Sequence, residues 1–497
     1  MRVVHIASEV APFAKVGGLA DVVYSLSKSS AKENIGISVI IPLYGSIPEQ
    51  ILSQLKIYKK NLIVHYDKDQ ITNDIYLLNL EGFKIFLISP HKPIDFFSKN
   101  NIYGYKNDPD RFLYFSKAAL EFLFQEKQPI DVIQLHDWHT AIIPILCEDM
   151  YKPKGLAVKK TILTIHNIGY QGHCKPNALD KIGLKGKDYL IPTKLQDPRL
   201  GKHKQINLMK GGIIYSSFIT TVSPSYADEI LYKESGAHLD GVLRAHQHKL
   251  KGILNGIDTE YWNPHTDPFI QAKYSKEDSV ENLVAAKQKN KKILQEKTSL
   301  INKDTLLVAC VGRLVTQKGP KLVLHALYQS LKHQGQFALL GSLFDKRFTS
   351  LFFKAQKKLK DNNNTFLSFE YNEALAHLIF AAADFFVVPS LFEPCGLTQM
   401  LAMRYGTIPI VRNTGGLKDT VFDIDYSNQP SEKRNGYTFE NFDQQGLDSA
   451  LNRAFHDWNH NRKKIYQLMY KNMQIDHSWK ASLQEYMKLY NASMDLD

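Results

Sequence analysis

The sequence predicts an α/β protein built on parallel sheets and divided into two halves. Short apolar runs alternate with helically spaced segments along the chain, the pattern that parallel sheets produce. The alternation occurs twice, on either side of a cluster of turn residues at Asn255 to Pro264 (NGIDTEYWNP). The length of 497 residues exceeds one typical domain of about 100–200, and a 44% hydrophobic content can supply two cores.

In the first half the candidate strands are Ser38 to Leu43, Phe83 to Ser89, Val132 to His136, Lys160 to His166 and Phe218 to Val222, besides a first strand, Val3 to Ser8. In the second they are Thr305 to Val311, Phe337 to Gly341, Asp384 to Pro389 and Ile408 to Val411. Asp425 to Gly436 is turn-rich and reads as a surface loop, and Trp479 to Tyr490 closes the chain as a helix. There is no internal repeat and no long low-complexity tract.

Basic residues number 62 and acidic residues 50, a net charge of +12. Clustered in one arm, that excess would suit nucleic acid. Here the lysines are interspersed with acids. The densest run, Lys287 to Lys297, contains Glu296 and reads as a solvated helix face. A moderate positive excess also suits anionic nucleotide sugars. The four cysteines, Cys147, Cys174, Cys310 and Cys395, form no CxxC pair, which argues against a zinc site or a disulfide framework and for a reducing cytoplasm. The start, MRVVHIASEV, lacks the pattern of a signal peptide. No run of about 18 apolar residues is present to span a membrane.

Three strand-to-helix turns carry chemistry. The first is PSLFEPCGLTQM, Pro389 to Met400, between the apolar run Phe385 to Val388 and a helical pattern from Leu401 to Tyr405. Open α/β sheets bind ligands at such turns. Glu393 supplies a carboxylate there, and the amides of Cys395, Gly396, Leu397 and Thr398 are expected to open the next helix and receive an anion. An acid beside an anion hole suits a sugar carrying a phosphate. The second is KVGGLAD, Lys15 to Asp21, where Gly17 and Gly18 allow close backbone approach and Lys15 brings a point charge. Leu19, Val22, Val23 and Leu26 follow with helical spacing. The segment is neither GxGxxG nor a Walker loop, and alone it reads equally as a glycine turn with a solvated lysine. The third is GRLVTQKG, Gly312 to Gly319, whose Arg313 and Lys318 can converge on a diphosphate and stabilise charge on a departing phosphate. Alone, they read as two surface cations.

HDWHT, His136 to Thr140, follows a strand. His136 and His139 are spaced i, i+3, but no acid and histidine cluster completes a metal shell. The segment reads as a structural turn, with Asp137 capping the helix after it. HNIGYQG, His166 to Gly172, also follows a strand, and a lone histidine there is more often structural than catalytic.

Taken together, these segments resemble the bacterial glycogen synthase and plant starch synthase family. The resemblance runs through KVGGLADVV at 15–23, HDWHT at 136–140, HNIGYQG at 166–172, NGID at 255–258, GRLVTQKG at 312–319, FEPCGLTQM at 392–400 and RYGTIPIVRNTGGLKDTV at 404–421. Three departures stand out: Leu391 where arginine is common, Val16 where threonine is frequent, and Val315 with Thr316 in the third turn.

The resemblance implies two Rossmann-like, doubly wound domains facing across a cleft, the GT-B glycosyltransferase fold. It places an N-terminal domain at 1–255, a nucleotide-sugar-binding domain at 256–477, and a helix at 478–497 packing back on the first. The implied reaction moves an α-D-glucosyl group from ADP-glucose to the non-reducing end of an α-1,4-glucan with retention. Another retaining glycosyltransferase, using UDP-glucose or a small-sugar acceptor, is the alternative. No metal, cofactor, nucleic acid or membrane enters, and the enzyme is cytoplasmic. By the same resemblance His166 lies beside the transferred glucose, and Asp137, Asn167, Tyr170 and Gln171 line the substrate side. Lys15, Gly17, Gly18 and Asp21 serve the donor with the 395–398 amides, Tyr371 stacks on the base or is a core aromatic, and Arg313, Lys318 and Glu393 handle the diphosphate and glucose.

Overall fold

The computed structural model describes residues 1–80, 82–199, 204–343, 345–370 and 372–492. The chain divides into two compact units, Met1–Gly256 together with the segment that begins at Trp479, and Ile257–Ser478.

The first unit is built on a nine-stranded sheet. Its order runs Leu250–Gly252, Phe218–Thr221, Val158–Ile165, Ile130–His136, Arg2–Ile6, Gly36–Pro42, Phe83–Pro90, Asp69–Leu80, Lys56–Tyr66. All pairings are parallel as far as Phe83–Pro90, and the last two strands are antiparallel. The central strands are apolar because helices cover such sheets on both faces. Val3, Val4 and Ile6 are fully buried. Helix Gly18–Lys32 turns Leu19, Val22, Val23 and Leu26 inward, the face its spacing predicts.

The antiparallel pair was not legible in the sequence. Lys56–Tyr66 bulges between Ile57 and Lys59 and again between Lys59 and Leu62, and Asn61 adopts a left-handed φ of 57°. Each bulge resets which residues face inward, so the period-2 signal is lost.

The last helix, Trp479–Asn491, belongs to the first unit. Ser482 donates to the Leu254 carbonyl, and Lys251 pairs with Glu485 at 2.6 Å. Lys160 caps the helix C-terminus through Leu489 O at 3.4 Å and Tyr490 O at 3.1 Å. A cation is favoured there by the helix dipole.

The second unit carries a six-stranded, all-parallel sheet. Its order is Thr365–Ser368, Gln336–Ser342, Leu307–Arg313, Phe385–Val388, Ile408–Arg412, Tyr437–Phe439. Strand order reverses between Leu307–Arg313 and Phe385–Val388, and that switch point opens a crevice at the strands' carboxyl ends.

Helix Val280–Lys297 corrects one sequence reading, because it is not a solvated face throughout. Lys287 and Lys291 are buried. The Lys287 ammonium donates to Ala381 O at 3.1 Å, Tyr405 O at 3.0 Å and Thr407 Oγ1 at 2.9 Å. It thereby caps the ends of helices Glu373–Ala382 and Thr398–Arg404. Lys291 pairs with the buried Asp384 at 2.5 Å. Lysine density in the sequence measured charge, not exposure; the partners are carbonyls that only the fold brings near.

Burial pushes the Lys287 amine down to about 7. Between that value and the ordinary lysine pKa the unfolded chain holds a proton that the folded chain has released, so stability rises with pH in that window. Urea unfolding of the wild type and Lys287→Met at pH 7 and pH 9 reads this. Their stability gap should move about 2–3 kcal/mol toward the wild type at the higher pH. A gap indifferent to pH would show that Lys287 stays charged inside.

Candidate active site

In the first unit three adjacent parallel strands end at one edge, and the predicted residues sit just beyond them. Arg2–Ile6 leads to Ser8 and Glu9, Ile130–His136 to Asp137, and Val158–Ile165 to His166 and Asn167. Asp137 has a left-handed φ of 56°, a conformation aspartate tolerates better than most residues. Its Oδ1 accepts the His166 amide at 2.7 Å and the Asn167 amide at 3.2 Å. Asp137 therefore caps the end of the neighbouring strand, not the helix after it. The reason is topological: the parallel neighbour ends within reach, whereas the next helix, Ile143–Leu146, starts six residues on. Burial raises the Asp137 carboxyl to about 7, against the pull of the two amides toward the ionised form.

His136 and His139 do not converge on a metal position. His136 lies between His5 and His166, with ring nitrogens 3.1 Å and 3.0 Å away. His139 stacks on Tyr103 with centroids 4.8 Å apart. Among the described residues no group of three or more His, Cys, Asp or Glu could hold a metal ion, and no helix is long and apolar enough to cross a membrane.

The loop from His166 to Gly172 separates its predicted residues. Tyr170 is 61% exposed. Gln171 is buried, with its amide donating to Ile168 O at 3.0 Å and Ala237 O at 2.8 Å while its oxygen accepts from Asn207 at 2.7 Å. Gln171 thus ties the loop to its scaffold.

The KVGG loop is closed by a residue the sequence reading missed. Glu9 Oε2 accepts the amides of Val16 at 2.5 Å and Gly17 at 3.0 Å, and Oε1 accepts the Tyr103 hydroxyl at 2.6 Å. Gly18 is the first residue of the following helix. Lys15 pairs with Asp21 at 2.7 Å, both one-third exposed. The only hint of Glu9 in the sequence was an acid directly after the first strand.

In the second unit Lys318 and Glu393 meet across the switch point. Arg313 ends its strand, Lys318 sits in the turn Thr316–Lys318, and Glu393 lies beyond Phe385–Val388. The Lys318 ammonium lies 2.5 Å from Glu393 Oε2, which also accepts from the Ser390 hydroxyl at 2.8 Å. The Glu393 side chain is 6% exposed and that of Lys318 25%. No ion pair of Arg313 occurs among the described residues. Two glycines permit this closeness. Gly319 has φ 65°, and a Cβ there would stand 2.2 Å from Pro389 O; a Cβ on Gly416 would stand 2.2 Å from Cys395 O. The backbone joins the loops as well, with Leu391 N donating to Gln317 O at 2.8 Å and Gly416 N to Glu393 O at 3.0 Å.

The helix after Glu393 begins at Thr398, with Leu397 as its N-cap, so the Cys395 and Gly396 amides precede it. Cys395 and Gly396 are buried, while Leu397 and Thr398 are half-buried. Gln399 braces this turn by donating to Gly396 O at 2.7 Å and Thr420 Oγ1 at 3.0 Å. Tyr371 lies outside the described residues.

Residues 2–245 match the family of the starch synthase catalytic domain, and residues 291–470 match glycosyl transferases group 1. A glycogen synthase from Protochlamydia amoebophila is 44% identical over 497 residues, 99% of either chain. The solved catalytic domain of starch synthase IV from Arabidopsis thaliana, bound to ADP and acarbose, is 42% identical with a TM-score of 0.94, covering 99% of each chain. A sucrose-phosphate synthase from Thermosynechococcus elongatus is 15% identical with a TM-score of 0.58, over 99% of this chain and 98% of that one, and shares the fold alone. The seven motifs are thus embedded in similarity that runs the length of the chain, and the protein belongs to the glycogen synthase and starch synthase family of glucosyltransferases.

Proposed function

We propose that this protein transfers the α-D-glucosyl group of ADP-glucose to the 4-hydroxyl at the non-reducing end of an α-1,4-glucan, with retention, in a cytoplasmic route to glycogen. The observation that carries the reading is the Lys318–Glu393 contact at the switch point of the second unit. A lysine held by a buried carboxylate is fixed in place before the donor arrives. Aimed at a leaving diphosphate together with Arg313, it opposes the negative charge that grows as the bond to the anomeric carbon breaks. Glu393 serves the sugar hydroxyls and orients Lys318. The half-buried Leu397 and Thr398 segment, with Cys395 and Gly396 behind it, receives phosphate oxygens.

In the first unit Asp137 holds the His166 and Asn167 amides, which fixes the His166 backbone beside the glucose. Burial keeps the His166 ring neutral, at about 3, so it hydrogen-bonds the sugar without adding charge. Tyr170, exposed on the same loop, serves the acceptor glucan. Lys15, with Asp21 and the Gly17–Gly18 backbone, handles the donor. The chemistry needs no metal, because the lysines, Arg313 and backbone amides supply the positive potential. On the first face of the reaction the bond from C1 to the phosphate oxygen breaks; on the same face the acceptor oxygen bonds to C1, and its proton passes to the departing phosphate.

Transfer of labelled glucose into glycogen from ADP-glucose, and separately from UDP-glucose, tests this reading. The wild type should incorporate label with ADP-glucose preferred, and Lys318→Ala should lose about 10²–10³ in kcat, the range for one preorganised donor. Absence of incorporation from either donor would overturn the proposed substrate pair.

Lys15→Gln should show a smaller loss than Lys318→Ala, because the charge of Lys15, one-third exposed, is more screened by water than that of Lys318 beside the buried Glu393. Steady-state kinetics on both variants decide it. Near-normal rates in both would defeat the phosphate assignment.

A further inference from the structure

Three histidines form a line across the sheet of the first unit. His5 lies on Arg2–Ile6, His136 ends Ile130–His136, and His166 follows Val158–Ile165, on three neighbouring strands. His5 Nδ1 is 3.1 Å from His136 Nε2, and His136 Nδ1 is 3.0 Å from His166 Nε2. Ring centroids are 5.4 Å and 5.3 Å apart. His5 and His136 are fully buried and His166 is half-buried. Burial lowers His5 and His166 to about 3 and His136 well below the usual histidine value. Each ring is therefore neutral and carries a single N–H.

A single proton per ring makes the line directional. Each nitrogen–nitrogen contact needs one donor and one acceptor. If His136 carries its proton on Nδ1, it donates to His166 Nε2, and His5 must donate from Nδ1. If His136 carries it on Nε2, the whole line reverses. The inner end distinguishes the two. His5 Nε2 is buried with no hydrogen-bond partner among the described residues. The reversed line would leave an orphaned N–H there, whereas the first leaves only a lone pair. Orphaned buried N–H groups are rarer than under-satisfied acceptors.

We infer that His5 and His136 are positioning residues that fix His166 as its Nδ1–H tautomer, making the second ring nitrogen of His166 a hydrogen-bond donor to an oxygen of the transferred sugar. This rests on the reading that His166 lies beside that glucose. A ring protonated on Nδ1 and engaged at Nε2 has no basic nitrogen left to offer. His166 is thereby excluded as the base, in keeping with transfer of the acceptor hydroxyl's proton to the departing phosphate oxygen as the C1–phosphate bond breaks and the new C1–O bond forms.

Neutron diffraction from crystals of the perdeuterated full chain at neutral pH reads the protons directly and needs no variant. Deuterium on Nδ1 of all three rings, with none on Nε2, is the expected result; deuterium on His166 Nε2 overturns the inference. Kinetics supply a second readout. His166→Asn places an amide N–H close to the position of ring Nδ1 and should keep kcat within about tenfold, while His166→Ala should lose about 10²–10³. Equal loss in the two variants overturns the donor role. A neutron map with Nδ1 protonated in a chain that transfers no glucose would leave the tautomer standing and overturn the functional reading instead.

Discussion

A carboxylate taken out of water must be met by hydrogen-bond donors, and that constraint organises the loops at the sheet edges of both units. In the first unit Glu9 gathers the Val16 and Gly17 amides with the Tyr103 hydroxyl, and Asp137 gathers the His166 and Asn167 amides. In the second, Asp384 holds Lys291 and the Leu307 amide, and Glu393 holds Lys318 and Ser390. All four acids are buried. Leaving any of them unpaired would be strongly destabilising, so the loops they hold are locked into one arrangement. The loops so locked carry most of the sequence motifs. Fold stability and site geometry are thus bound to the same contacts.

The two lysines proposed to face phosphate are held in different ways. Lys15 meets Asp21 six residues on, at the surface, where water screens the pair. Lys318 meets a carboxylate 75 residues away that water hardly reaches. The second contact depends directly on two loops meeting, through Gly319 pressed against Pro389 O and Leu391 bonded to Gln317. A substitution that pushes those loops apart would move Lys318 without touching it.

Much of this was legible in the sequence because it is local. Apolar runs such as Val132 to His136 and Phe385 to Val388 are strands in the structure, and Leu19, Val22, Val23 and Leu26 form the buried face of their helix. The second strand-end acid, Glu393, stood out because its motif is contiguous. What failed is non-local. Asp137 was assigned to the helix ahead because the neighbouring strand end is 29 residues away in sequence. The partners of Gln171, Asn207 and Ala237, likewise lie 36 and 66 residues away. Glu9 went unseen because a single acid after a strand has no pattern until the loop folds back on it. Lys287 reads as solvated from sequence because the carbonyls that receive it lie 94 and 118 positions on.

Retention is ordinarily achieved with two carboxylates, one acting as nucleophile. The hydrogen bonding around Glu393 argues for a different use of its charge. Oε2 already takes the Lys318 ammonium and the Ser390 hydroxyl, and donors that stabilise a carboxylate's charge also make it a weaker nucleophile. Attack on C1 through that oxygen would break the ion pair and, on the proposed reading, withdraw Lys318 from the diphosphate as its charge grows. Attack through Oε2 and stabilisation of the leaving group by Lys318 therefore compete for one contact. A same-face displacement removes the competition, since the lysine stays on its carboxylate throughout and the departing phosphate takes the acceptor's proton. The short Lys318–Glu393 contact thus fits the proposed same-face displacement better than a nucleophilic role for Glu393.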